Sequence, residues 1–226
     1  MDRSDHRHHT RIAVPPVRLH DSPELVALAR VKALSPGQVA FDVGDPVDAV
    51  HIVLSGALLV RSISLDGDLA VVDVRGRGDL LDDTALLDRR PSLHFDGATA
   101  LTDVRLLRVS LRAFDELRDR SPAVGAALVM QLTDQVRRLS TSLVDLLGRP
   151  GRARAARRLL AISETLDRSQ MGGRPLKMTQ QDLADYVGTT RSTLNVHLQT
   201  FEGAGAIASA RSRLTIKDPR ALDRFA

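Results

Sequence analysis

Residues 179–207, TQQDLADYVGTTRSTLNVHLQTFEGAGAI, constrain the fold more than any other stretch, because they specify two short helices meeting at a glycine. Thr179 with Asp182 three residues later has the spacing of a capping box, Asp standing in for the usual Glu, and Leu183 and Val187 share an apolar face. Gly188 makes the turn. Thr190 caps a second helix whose Leu194, Leu198 and Phe201 recur at four and three residues and so point into one core. Its opposite face carries Arg191, Ser192, Asn195, Val196 and Gln199, mostly side chains able to hydrogen-bond base edges or phosphates. This is the pattern of a helix-turn-helix and argues for double-stranded DNA as the partner, although any two-helix hairpin shares part of it. The sequel favours DNA. Ala206-Ile207-Ala208, a turn region with Arg211 and Arg213, and Leu214-Thr215-Ile216 have the pattern of a β-hairpin wing, with arginines near the DNA backbone.

Charge is placed to match. From residue 148 onward there are 14 Lys+Arg against 7 Asp+Glu, whereas the preceding 147 residues hold 18 against 21. A basic C-terminal module beside a slightly acidic remainder suits phosphate binding by one domain. The 226 residues, 43% apolar, suffice for one large or two ordinary domains. No apolar run of membrane-spanning length occurs, and the N-terminal MDRSDHRHHT is followed by no apolar segment, so the expectation is a cytoplasmic protein without membrane contact. Zero Cys removes disulfides, thiolate zinc sites and Cys-ligated iron-sulfur clusters together.

Residues 1–18, with His6, His8, His9 and Pro15-Pro16 but no sustained period, read as a flexible arm rather than a metal site. Ser22-Pro23 is a start signal for a two-turn helix reaching Arg30. From 31 to about 109, short β-branched runs alternate with Gly37, Gly44, Gly56, Asp66-Gly67 and Gly76-Arg77-Gly78, which predicts a compact antiparallel barrel or roll. One or two helical turns fit residues 82–87. Ser121-Pro122 opens a long helix on which Val129, Leu132, Val136, Leu139, Leu143 and Leu146 alternate three and four apart, the spacing of a parallel two-stranded coiled coil. The competing reading packs this stripe on the chain's own roll. Gly148-Arg149-Pro150-Gly151 breaks the helix, and a further helix over 152–166 leads to the reading head. Its Arg152, Arg154, Arg157 and Arg158 suit either phosphate contact or plain solvation.

The order of roll, long helix, hinge and winged helix-turn-helix resembles the Crp/Fnr family of bacterial transcription regulators. The resemblance runs from Val31 to the C-terminus and rests on Gly44-Asp45 followed by VHIVLSGALLV, on Gly78-Asp79, and on DLADYVGTTRSTLNVHLQTFEGAGAI. It implies an α+β chain: an arm over 1–18, a β-roll sensor of jelly-roll type over 19–120, a dimerisation helix over 121–147, and a winged helix-turn-helix over 148–226. It implies a homodimer through 121–147 on a palindromic site, with RNA polymerase a candidate further partner. In the family the residue matching Arg191 reads a guanine, as a bidentate guanidinium can. Glu at the Ser192 position and Arg or Lys at the Val196 position are common there, so this chain's half-site differs. Thr179, Thr190 and Gln199 are expected on phosphates or the groove edge.

The sensing pocket departs further. Cyclic-nucleotide-binding members carry Gly-Glu at the start of a short helix and Arg-Ser or Arg-Thr ten residues on; here those positions are Asp82-Asp83, followed by Thr84, and Leu93-His94. The Arg that balances a buried phosphate is lost, and two like charges at about 4 Å repel by roughly 4 kcal/mol at an effective dielectric of about 20. Ordinary cyclic AMP binding is disfavoured, and no cofactor, metal or other effector is specified. Arg89 or Arg90 re-enters the pocket if the loop shifts, and a protonated His94 supplies a weaker positive charge. The family's base-contacting pair maps to Leu139-Ser140, with Thr141 and Ser142 close by. Haem through His51 or His94 is conceivable, but a lone His is more often structural. Asp82, Asp83 and Asp88 have no paired His or metal spacing, so no catalytic residue is expected. The alternative function is a small-molecule-binding module whose winged helix contacts protein.

Overall fold

The computed structural model describes residues 18–64, 67, 69–81, 93–169, 171–210 and 212–226. The arm up to residue 17, the helical turn expected over 82–87, and Asp82, Asp83, Thr84, Asp88, Arg89, Arg90 and Arg211 lie outside the described residues.

After a 3-10 turn (Leu19–Asp21), Ser22 caps α1 (Pro23–Leu28) by accepting from Leu25 N at 3.4 Å. The helix stops short of the expected Arg30: Ala29 is extended, and Arg30 opens a strand. Eight strands follow among the described residues: β1 (Arg30–Leu34), β2 (Val39–Phe41), β3 (Ala49–Ser55), β4 (Leu58–Ile63), β5 (Leu69–Arg75), β6 (Leu80–Leu81), β7 (Asp96–Ala100) and β8 (Val104–Ser110). They form two antiparallel sheets, ordered β1-β8-β3-β6 and β2-β7-β4-β5, in a jelly-roll-like domain. Gly56 shows why glycine punctuates the runs. Its φ is +86°, and a Cβ there would sit 2.2 Å from the Asp103 carbonyl oxygen.

The β3 sequence AVHIVLS is apolar without alternation because both its faces are covered. Val50 and Ile52 pack with Leu25, Phe114 and Leu128 on the helical side, while Val53 packs with Leu58, Val60 and Leu106 inside the roll. His51 is buried, its ring centroid 5.4 Å from that of Phe41.

Burial, with Lys32 and Arg108 adding to it, lowers the His51 pKa to about 4 from its ordinary 6.5. The unfolded chain therefore binds more protons between those values, so this histidine makes stability fall as pH drops from about 6.5 toward 4. Replacing His51 with Gln is expected to flatten that slope in urea melts across the window. An unchanged slope would remove His51 as its source.

Ser110 caps a helix absent from the sequence reading, α2 (Leu111–Arg120), where only Phe114 is buried. Leu111, Phe114 and Leu117 recur three apart on its packed side, a short period that the sequence reading passed over. Next, α3 (Pro122–Gly148) runs for 27 residues, about 40 Å at 1.5 Å each. The face holding Val124, Ala127, Leu128 and Gln131 packs against the roll and α2, with Leu132 half-buried beside it. Val129, Val136, Leu139, Leu143 and Leu146 are exposed, so most of the heptad stripe does not pack on the chain's own roll.

The remaining elements are α4 (Gly151–Arg168), α5 (Gln180–Val187), α6 (Arg191–Gly203), a hairpin of β9 (Ile207–Ala210) with β10 (Arg213–Ile216), and α7 (Pro219–Asp223). Leu159, Ile162, Leu183, Leu194, Leu198, Phe201 and Leu214 form their core, which continues without a break into Leu59, Val71, Val74 and Leu101 of the roll. No helix among the described residues is long and apolar enough to cross a membrane.

Candidate nucleic-acid interface

Two side-chain caps and one glycine set the geometry of the C-terminal helices. Thr179 Oγ1 accepts from Asp182 N at 3.0 Å, and Asp182 Oδ2 accepts from Thr179 N at 3.1 Å, completing a reciprocal capping box. Asp182 Oδ1 also accepts from Arg61 Nη2 of β4 at 2.8 Å, which ties the start of α5 to the roll. Burial alone would raise the Asp182 pKa, but the hydrogen bonds from Arg61 and Thr179 outweigh it and hold the carboxyl below its usual value. Gly188 ends α5 at φ 71° and ψ 51°, the left-handed region. Thr190 Oγ1 accepts from Thr193 N at 3.2 Å and starts α6.

Along α6, Leu194, Leu198 and Phe201 are buried, and Arg191, Ser192, Val196 and Gln199 are exposed on the opposite side. Arg191 Nε and Nη2 each lie 3.5 Å from Gln180 Oε1, the longest contact that still counts as a hydrogen bond, so the guanidinium is oriented without being consumed. Asn195 departs from the reading of a fully open face. It is half-buried, and its Oδ1 is buried with no hydrogen-bond partner among the described residues. Thr179 and Thr190 are exposed at the two helix starts. Arg213 is exposed but begins β10 rather than lying in the turn of the wing, and Leu176 adds to that wing through its N–H to Leu214 O at 2.7 Å.

The arginines of α4 make contacts within the chain that neither expected role, phosphate contact or plain solvation, describes. Arg154 donates from Nε to Val187 O at 2.7 Å, from Nη2 to Gly188 O at 2.9 Å and from Nη1 to Arg149 O at 3.1 Å. It thereby caps the C-terminal carbonyls of α5 and braces the hinge. Asp145 near the end of α3 accepts from Arg149 Nε at 2.7 Å and Arg157 Nε at 3.1 Å. Arg158 Nη1 donates to Ser142 Oγ at 2.6 Å, and its guanidinium lies 4.6 Å from the centroid of the Tyr186 ring. Arg152 sits 6.0 Å from the Phe225 ring. Sequence reasoning missed these contacts, since nothing in the spacing of a basic helix names its acceptors.

Of the expected effector residues, His94 and Ser140 are described. The His94 ring is buried and stacks on Phe41 with centroids 4.0 Å apart. Burial lowers its pKa, with Asp45, Asp48 and Asp96 opposing, so the protonated form invoked from the sequence is disfavoured. Leu139 and Ser140 are exposed, whereas Ser142 faces α4. No cluster of three or more metal-ligating side chains occurs among the described residues.

A jelly-roll-like domain joined by one long helix to a winged helix-turn-helix defines a class of DNA-binding regulator. The cyclic nucleotide-binding domain family matches residues 31–121, and the Crp-like helix-turn-helix domain family matches 153–225. A CRP-like cAMP-activated global transcriptional regulator of Mycobacterium tuberculosis is 26% identical over 90% of this chain and 93% of its own length. The HTH-type transcriptional regulator Cmr of the same organism is 28% identical over 92% of this chain and 80% of its own. Among solved structures, a CRP-family transcriptional regulator of Thermus thermophilus has a TM-score of 0.69 at 23% identity, covering 86% of this chain and 96% of that one, and bears on the fold alone. The chain belongs to the Crp/Fnr family of transcription regulators. That is a family of DNA-binding regulators rather than enzymes, and its members typically act as dimers.

Proposed function

We propose that this regulator binds a palindromic DNA site as a cytoplasmic homodimer, with α6 of each protomer in the major groove and Arg191 leading base recognition. The carrying observation is the state of α6: capped and packed on one side, with Arg191, Ser192, Val196 and Gln199 exposed on the other. Thr179, Thr190, Arg211 and Arg213 take the phosphates, and Asn195, half-buried, contributes at the edge of the reading face. Dimerisation is supported by the exposed seam of Val136, Leu139, Leu143 and Leu146 on α3. Its effector pocket is atypical: Asp82-Asp83 and Leu93-His94 stand where cyclic-nucleotide-binding members carry the residues that hold the cyclic phosphate and ribose, which disfavours ordinary cyclic AMP binding.

Salt separates this reading from a winged helix that contacts protein. With about six phosphates neutralised, affinity for a duplex site is expected to fall roughly a thousandfold between about 50 and 200 mM salt. Fluorescence anisotropy with a labelled duplex measures that slope. A flat response, or no duplex binding at low salt, would sink the DNA reading and favour the protein contact.

A further inference from the structure

The inner face of α3 changes character along its length. Val124 and Leu128 give way to Gln131, Gln135, Arg138, Ser142 and Asp145, and beside this polar part lies a cleft of about 400 Å³ between α3, α4 and β5. That volume lies within the range of small-molecule sites. Five guanidiniums line the cleft: Arg137 and Arg138 from α3, and Arg157, Arg158 and Arg168 from α4.

Their bonding is incomplete. Arg138 reaches Asp79 through Nη1 at 3.0 Å, yet its Nε and Nη2 are buried with no hydrogen-bond partner among the described residues. Arg158 uses Nη1 on the neutral Ser142 hydroxyl, and its Nε is likewise buried and unpartnered. The nearby carboxylates do not fill the need. Asp145 is held by Arg149 and Arg157, Asp73 lies 2.8 Å from Arg75 Nε, and burial raises the Asp73 pKa. Glu164 and Asp223 are exposed and form no ion pair among the described residues. Buried donors without acceptors are rare and costly, and guanidinium forks on two facing helices match the several oxygens of a phosphate.

We propose that this cleft binds a phosphate-bearing small molecule of up to nucleotide size, held by Arg138 and Arg158, with Arg137 and Arg168 at its mouth. Among the described residues, those of the dimer seam do not line the cleft, and neither do Leu93 and His94. A bound phosphate would bridge α3 and α4 across the hinge.

Titration calorimetry on the full chain, with pyrophosphate and 5′-AMP as probes, tests the site without any DNA. At least one probe is expected to bind saturably, one per chain. Arg158→Gln is expected to weaken that binding tenfold or more, and Arg137→Glu, at an exposed guanidinium, to do the same without touching a buried contact. Arg191→Ala on α6 should leave it unchanged. No saturation by either probe at millimolar concentration would overturn the proposal. So would unchanged affinity in Arg137→Glu, or equal weakening by Arg191→Ala, which would place the anion on the DNA-reading head instead. Loss of DNA binding in Arg191→Ala with anion binding intact leaves the two readings separately judged.

Discussion

Arg191→Ala is expected to lower affinity by roughly ten- to a hundredfold per half-site, since each half-site of the dimer loses one bidentate base contact worth about 1–3 kcal/mol. It should also relax the preference at one base pair in each half-site. The effect is local because Arg191 is exposed and its protein contact, Gln180 Oε1, is long at 3.5 Å, so removing it leaves the α6 core of Leu194, Leu198 and Phe201 untouched. Anisotropy against a panel of single-base variants of the site measures both quantities. A phosphate-contacting arginine would behave differently, weakening all sequences alike and lowering the salt slope by about one. If the substitution changes neither affinity nor base preference, α6 does not read DNA through this residue.

A second large effect is expected from the seam. Val136 is 62% exposed and Leu143 is 55% exposed in the single chain, on a helix whose other face is packed, so these side chains lose water only when a second chain covers them. Leu139→Asp combined with Leu143→Asp places two charges in the middle of the stripe without entering the core of the protomer. The double variant is expected to keep its circular dichroism spectrum, to halve its mass in sedimentation, and to lose a hundredfold or more in affinity for a two-half-site duplex. The last follows because the second head no longer binds intramolecularly. Persistence of a dimer at micromolar concentration would show that another surface joins the protomers.

The parts of this protein that could be read from the chain are those set by neighbours in sequence. Thr179 and Asp182 stand three residues apart, as do Thr190 and its acceptance from Thr193 N, and Gly188 is a single left-handed residue; each is a local rule, and each appears in the structure as the spacing demanded. The glycine-punctuated strands were legible for the same reason. The reading failed on short elements: α2 repeats its Leu111-Phe114-Leu117 pattern over only ten residues, and α7 is only five residues long. Asn195 sits at the margin of its helical face, and spacing cannot distinguish an open position from a half-covered one.

By itself the sequence determined the two-part architecture, the two capped helices of the C-terminal head and the apolar stripe of the long helix. Tertiary structure alone decided which face of α3 meets the roll and what the arginines of α4 do. It also decided how the head is attached: Arg61 reaches Asp182 across 121 residues, and one apolar core passes from Val71 and Val74 into α5. The physical reason is range. Caps, turns and periods are satisfied within a few residues, whereas a guanidinium several bonds long takes whichever acceptor the fold brings within 3 Å, and no local pattern records that choice.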